Sequence, residues 1–261
     1  EESSVVEVYD QIFSLEGGIY DRCLKTDASI RWDDVHRISR IKKQIHQFSR
    51  QISIWMFENN PQHAEIPKDK YEKIRDKIFE MDNRELQLHK KDVLIGNFFG
   101  IGNCYDGIDT EQLRFVHRSI YEYFVTETIT SEIREAVIKM TEDAQERFAE
   151  VLGYRLKKGR IDFTIGQYLK AKVSALIVPF NEEKKNFFYA WLEGTVEKML
   201  GNGMLYYTGK NIKEYRNVII KEMLCFSNLL SVLRVFLDFS DRKYILANVN
   251  HDQLELYIRF L

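Results

Sequence analysis

The chain has 261 residues, with 38 Lys and Arg against 40 Asp and Glu, a formal charge of −2, and only 3 Pro and 13 Gly. So few prolines exclude collagen-like, Pro-rich and low-complexity disordered chains. The near-neutral charge argues against a protein whose main task is holding phosphate backbones, and leaves room only for a local basic patch. A hydrophobic content of 44% with 30% charged residues predicts a folded, mainly α protein.

The first strong pattern lies at 35–56. Val35, Ile38, Ile41, Ile45, Phe48, Ile52 and Met56 recur at steps of three and four, which predicts one apolar face of a long helix. Asp33 or Asp34 can cap its start, and Asn59-Asn60-Pro61 ends it, because a proline disfavours the helical region for the residue before it. The opposite face carries Arg37, Arg40, Lys42, Lys43, Gln47 and Arg50. These side chains can touch phosphate, but a solvated helix face is the default for such a run. A second helix is expected at 68–81, with Tyr71, Ile74 and Ile78 inward.

The segment 92–101 is rich in branched and aromatic residues, 103–107 is turn material, and 112–116 is a second strand candidate. Together they predict a β-hairpin with a long loop. A helix follows at 117–128. Helix, helix, hairpin, helix is a winged-helix-like order. Beyond residue 130 the helical period returns, with expected helices at 131–140, 141–156, 164–177, 181–200, 213–238 and 252–261. We therefore expect a winged-helix-like domain over 1–130 and an α-helical bundle over 131–261.

Cys23, Cys104 and Cys225 are odd in number and widely spaced, unlike a disulfide framework or a zinc motif. A reduced, cytoplasmic protein is the simpler expectation. The most apolar run, 224–239, is interrupted by Ser227, Asn228, Ser231 and Arg234, so no segment reaches the roughly 20 apolar residues of a membrane span. The sequence opens on Glu1 with no Met and no signal peptide, and stops at Leu261 inside a helical pattern, which reads as a piece of a longer protein.

Motifs for chemistry are absent. Between Gly203 and Gly209-Lys210 there are five residues where a phosphate loop has four, and Asn211 stands where Ser or Thr binds magnesium. Gly100-Ile101-Gly102 lacks the third glycine of a dinucleotide fingerprint, since Tyr105 occupies its place. His36, His46, His63, His89, His117 and His251 show no metal-ligand spacing. Ser119, two residues after His117, has no nucleophile elbow around it. No catalytic residue and no metal ligand is expected.

One stretch is more specific. Phe115, His117, Glu122, Tyr123 and Phe124 resemble the Phe-x-His-x-x-x-x-Glu-Tyr/Phe-Phe pattern that closes the winged-helix domain of NACHT-type STAND NTPases. Ile120-Tyr121 and Val125-Thr126 depart from the residues common in that family at those places. The stretch 38–60 with Glu65-Ile66-Pro67 is similar to the helix and boundary of bacterial members. The tail 153–261 is similar to the helical region that precedes their pentapeptide repeats. The resemblance implies a non-catalytic regulatory arm of a signal-transducing NTPase. An upstream nucleotide-binding domain, holding ATP or ADP and magnesium, and a downstream repeat or sensor domain would be its partners, with no cofactor of its own. His117 would contact the β-phosphate of ADP in the longer protein. Phe115, Tyr123 and Phe124 would be core residues, and Glu122 an ion-pair or cap partner. Two rival readings are a nucleic-acid-binding winged helix and a self-standing helical interaction domain. The first is disfavoured because 117–128 offers Arg118 against Glu122 and Glu127.

Overall fold

In a computed structural model, residues 5–25, 35–79, 99–103, 111–139, 141–156, 158–201, 224 and 227–228 are described. They are mainly helical, with one small antiparallel sheet. The expectations at Asp33 and Asp34, 92–98, 104–107, 203–211, His89, His251, Cys104, Cys225, most of 213–238 and all of 252–261 lie outside the described residues, as does the side chain of Cys23. The chain divides into two compact units, Glu1–Thr128 and Ile129–Leu261.

The first unit opens with two helices that periodicity does not announce, α1 (Val5–Ile12) and α2 (Ile19–Lys25). Val5, Val6, Val8 and Ile12 are β-branched and favour strands locally. Tertiary contact decides otherwise. Val6 and Phe13 are buried and Tyr9 half-buried, a spacing that only a helix puts on one face. Gly17, at φ 72°, turns the chain between the two helices in the left-handed region that glycine enters freely.

Helix α3 (Val35–Asn59) runs 25 residues. Ile38, Ile41, Ile45, Phe48, Ile52 and Met56 are buried as the spacing predicts, while Val35 is 70% exposed at the helix start. The turn at 61–64 closes on Ala64 at φ 53°. Strand β1 (Glu65–Pro67) and helix α4 (Lys68–Phe79) follow directly. In α4, Ile78, Phe79 and Arg75 are the buried residues, and Tyr71 and Ile74 are half-buried.

Strands β2 (Phe99–Asn103) and β3 (Glu111–Phe115) form the expected hairpin partners, in the register Phe99↔Phe115 and Asn103↔Glu111. The sheet has a third member that the sequence reading treats as a boundary. β1 pairs antiparallel with β3 through Ile66↔Leu113, giving the order β1-β3-β2. Three residues are too few to show alternation, and Pro67 is tolerated because β1 is an edge strand. Helix, strand, helix and then a hairpin whose second strand lies between the other two is a winged-helix-like arrangement.

Helix α5 (Arg118–Lys139) corrects a second expectation. The sequence reading breaks it into 117–128 and 131–140. The structure has one helix of 22 residues, with the unit boundary falling within it after Thr128. No Gly or Pro interrupts it. The hydroxyls of Thr126 and Thr128 donate to the carbonyls of Glu122 and Phe124, each at 2.9 Å, so these threonines do not compete with the helix. Residues 121–126 are buried without a break. A helix covered on all sides loses the one-sided period that sequence reading needs.

The core of the first unit is an aromatic cluster around Phe124. The ring of Phe13 lies 4.8 Å from it, Tyr123 5.3 Å, His46 5.5 Å and Phe115 5.9 Å, centroid to centroid. Tyr20 is fully buried, and its hydroxyl is 3.1 Å from Nδ1 of His46. Lys42, like Arg75 and Glu122, is a buried charged residue. The sequence places it on the solvated face of α3, yet it is buried. Its Nζ donates to the carbonyl of Leu15 at 2.9 Å and pairs with Asp21 at 2.5 Å, while Asp21 also accepts the N–H of Gly17 at 2.6 Å.

The second unit is helical among the described residues. It contains the end of α5, then α6 (Glu142–Leu156), α7 (Phe163–Ile177) and α8 (Glu182–Gly201). The N-caps are Thr141, Asp162 and Asn181, whose side chains accept the N–H of Ala144, Ile165 and Lys184. Helices α6 and α8 approach closely at Gly194, where a Cβ would stand 2.7 Å from Nε2 of Gln145. That amide donates to the carbonyl of Trp191 at 2.5 Å. Arg155 forks onto Glu132, binding α6 to α5. Buried Asn228 ties down the α6–α7 connection: it accepts the N–H of Ile161 at 2.8 Å and donates to the carbonyl of Gly159 at 2.5 Å.

Candidate functional site

The patterned segment begins where β3 ends. Phe115 is the last residue of β3 and is buried. Its ring meets Phe124 at 5.9 Å and Tyr121 at 6.4 Å, which fixes the strand end against the helix that follows. Val116 and His117 then turn outward. Val116 is 52% exposed and His117 is exposed. The carbonyl of His117 accepts the N–H of Ile120 at 3.1 Å, so His117 stands at the cap of α5 and its side chain leaves the helix start.

Three ties hold that corner. Arg118 donates from Nη1 to the carbonyl of Gln62 at 3.1 Å, anchoring the helix start to the turn before β1. Its Nε reaches Oε1 of Glu122 at 3.0 Å, one turn along the same helix. Tyr9 of α1 donates to Oγ of Ser119 at 2.6 Å. One turn further on, the Tyr123 hydroxyl donates to Oδ1 of Asp10 at 2.8 Å. Burial, and then the carboxylates of Glu127 and Asp10, push the Tyr123 hydroxyl far above its ordinary range, so this donor keeps its proton.

The segment therefore sorts by burial. Phe115, Tyr123 and Phe124 are core residues, and Glu122, 6% exposed, is the ion-pair partner of Arg118. His117 alone of the five points to solvent. The first turn of α5 has no acidic residue. An exposed imidazole at a helix start, where the helix dipole favours negative charge, can receive an anionic oxygen. Ser119 is engaged by Tyr9, which accounts for its place beside the histidine without a nucleophilic role. Gly100 and Gly102 both lie within β2, as strand residues.

Sequence reasoning finds the histidine but not its supports. Tyr9 and Asp10 are 110 and 113 residues away in the chain, and Gln62 is 56. The second unit carries an open groove of about 370 Å³, rimmed by Glu135, Lys139, Asp143 and Arg147 over Ala136 and Ala144. Its charges are mixed in sign, so it selects no ligand class. Among the described residues, no cluster of three His, Cys, Asp or Glu is placed to hold a metal ion, and no helix is long and apolar enough to cross a membrane. No family model, curated protein or solved structure matches the chain.

Proposed function

We infer that this chain is the winged-helix and helical arm of a signal-transducing NTPase of the NACHT type. In this reading it performs no chemistry. It couples the nucleotide state of a domain that precedes it to a sensor that follows it, in the cytoplasm. The observation that carries the reading is the division of one short motif. Its apolar members are buried in the aromatic core, its glutamate is paired internally, and its histidine is left exposed at a helix start. Among the described residues, folding accounts for the first four and gives no use to the His117 side chain. A phosphate oxygen presented by another domain would complete it, because the imidazole donates and the helix dipole favours negative charge.

The test is the ADP that co-purifies with the longer protein. His117→Ala lowers the bound ADP per chain relative to the parent, and unchanged ADP content overturns the reading. The 261-residue chain alone binds ADP weakly or not at all in calorimetry. Tight binding by this chain would equally overturn it, because the nucleotide site would then lie here.

A further inference from the structure

We propose that the outer face of α7 is a homodimer interface, on which a second copy of this chain lays its own α7 antiparallel. That pairing is independent of the nucleotide-state reading and lies wholly within the second unit.

The first observation is a helix without a charged side. Ile165, Tyr168, Leu169, Val173 and Ile177 are buried and hold α7 to its unit. In a chain that is 30% charged, the remaining side of such a helix is expected to carry charges. Instead Phe163, Gln167, Ala171, Ser174 and Val178 follow one another at steps of three and four, which sets them on one stripe. Val178 continues the stripe because it caps the helix in helical geometry, at φ −48° and ψ −42°. The charged residues of α7 are Lys170 and Lys172, both half-buried and both engaged within the chain.

The second observation is the exposure of the stripe's ends. Phe163 is 80% exposed and Val178 73%, about 22 Å apart at 1.5 Å per residue. Between them Gln167 is exposed, and Ala171 and Ser174 are half-buried. Single apolar residues are ordinary on a surface, but here two large ones close an uncharged stripe on one helix. The small side chains between them let a second helix come close, since the distance between helix axes follows the residues at the contact.

The third observation selects the occupant. The stripe reads large apolar, polar, small, polar, large apolar from either end. An antiparallel second copy therefore matches it at every step. Phe163 meets Val178 of the second copy, the Gln167 amide donates to the hydroxyl of Ser174 of the second copy, and Ala171 lies near the two-fold axis. Such an isologous contact is the commonest arrangement in oligomers. The uncharged stripe offers nothing to hold a phosphate backbone, and its polar, small-residue middle is a poor face to insert among acyl chains. One helix face is at the low end of interface sizes, so the dimer is weak and reversible.

The experiment is sedimentation velocity of the 261-residue chain from about 5 to 500 μM. The weight-average mass is expected to rise from 31.1 kDa toward twice that value, with a Kd of about 10–100 μM. Phe163→Glu and Val178→Lys each raise that Kd about tenfold or more, because each sets a charge against an apolar side chain. Both substitutions suit their helix ends, an acid in the first turn and a base at the last, so the unfolding midpoint stays at the parent level. An equimolar mixture of the two variants associates more tightly than either alone. Antiparallel pairing brings the new carboxylate of one chain to the new ammonium of the other and leaves the opposite end intact, whereas parallel pairing gives no such gain. Phe187→Glu, at an exposed aromatic of α8, leaves association unchanged. A mass that stays at one chain throughout overturns the proposal and leaves the face to a segment of this chain or to a different protein. Association that is indifferent to Phe163→Glu and Val178→Lys, or a mixture no tighter than its components, overturns it as well.

Discussion

Lys42→Met tests whether a lysine that looks solvated in sequence holds the first two helices in place. Methionine keeps the length and apolar stem of lysine and removes the ammonium. Two contacts vanish: the hydrogen bond to the carbonyl of Leu15 and the ion pair with Asp21. A hydrogen bond to a charged group contributes about 1.5–3 kcal/mol, and stripping one partner from a fully buried pair costs about 3–5 kcal/mol. Here the Asp21 side chain keeps 17% of its exposure and the Lys42 side chain 10%. Asp21 also retains the N–H of Gly17, so the abandoned carboxylate is partly solvated and partly bonded. The expected loss is therefore about 2–3 kcal/mol, below the full buried-pair value. Urea unfolding followed by far-UV circular dichroism measures it, with Asp21→Asn and the double variant closing the cycle. Coupling between the two sites should exceed about 1 kcal/mol, as for residues in direct contact. A loss within about 0.5 kcal/mol, the range of ordinary surface substitutions, would refute the clasp.

Asn228→Ala should cost about 2–6 kcal/mol in the same assay. It leaves the N–H of Ile161 and the carbonyl of Gly159 buried without their partner, at about 1–3 kcal/mol each. Phe124→Ala should cost about 3–5 kcal/mol, as for other large-to-small aromatic deletions, because Phe124 is 0% exposed at the centre of the cluster. His117→Ala should leave the unfolding midpoint unchanged, since its side chain is exposed; a large loss would make it a folding residue. Tyr123→Phe should flatten the alkaline limb of stability. The folded hydroxyl titrates well above its unfolded value near 10, so its contribution is complete below about pH 10 and is lost as pH rises beyond it. A parent and variant with parallel pH profiles between about pH 9 and 12 would contradict the burial of that hydroxyl.

The parts of the fold legible in sequence are those whose pattern is local. Helix α3 is one, because six apolar residues in helical register are buried on one side. The N-caps Thr141 and Asn181 are others, since the capping oxygen lies three residues from the N–H it accepts. Where the outcome depends on distant residues, local pattern fails. The β-branched run of α1 is helical because Tyr9 and Phe13 meet a helix more than 100 residues later. β1 exists because β3 offers it an edge. Lys42 is buried because Asp21 and Leu15 come to it; it stands four residues after Ile38 and three before Ile45, at the edge of the apolar face, whereas exposed Lys43 does not.

The same division governs the candidate site. His117 can be singled out because the residues that frame it, Phe115, Glu122, Tyr123 and Phe124, lie within one strand end and two helical turns. The chemistry it can do rests on what orients the corner. That comes from Tyr9, Asp10 and Gln62, which no spacing rule connects to position 117. These supports are also why the corner is informative. A lone exposed histidine is ordinary, since such side chains commonly lie on surfaces. A histidine at a helix start tied down by three contacts, with a first turn free of acidic residues, is a place where the helix dipole would favour a negative charge. Removing a tie while keeping the histidine, as in Tyr9→Phe, should therefore weaken ADP retention in the longer protein by less than His117→Ala does. If the two losses are equal, the corner rather than the imidazole carries the contact.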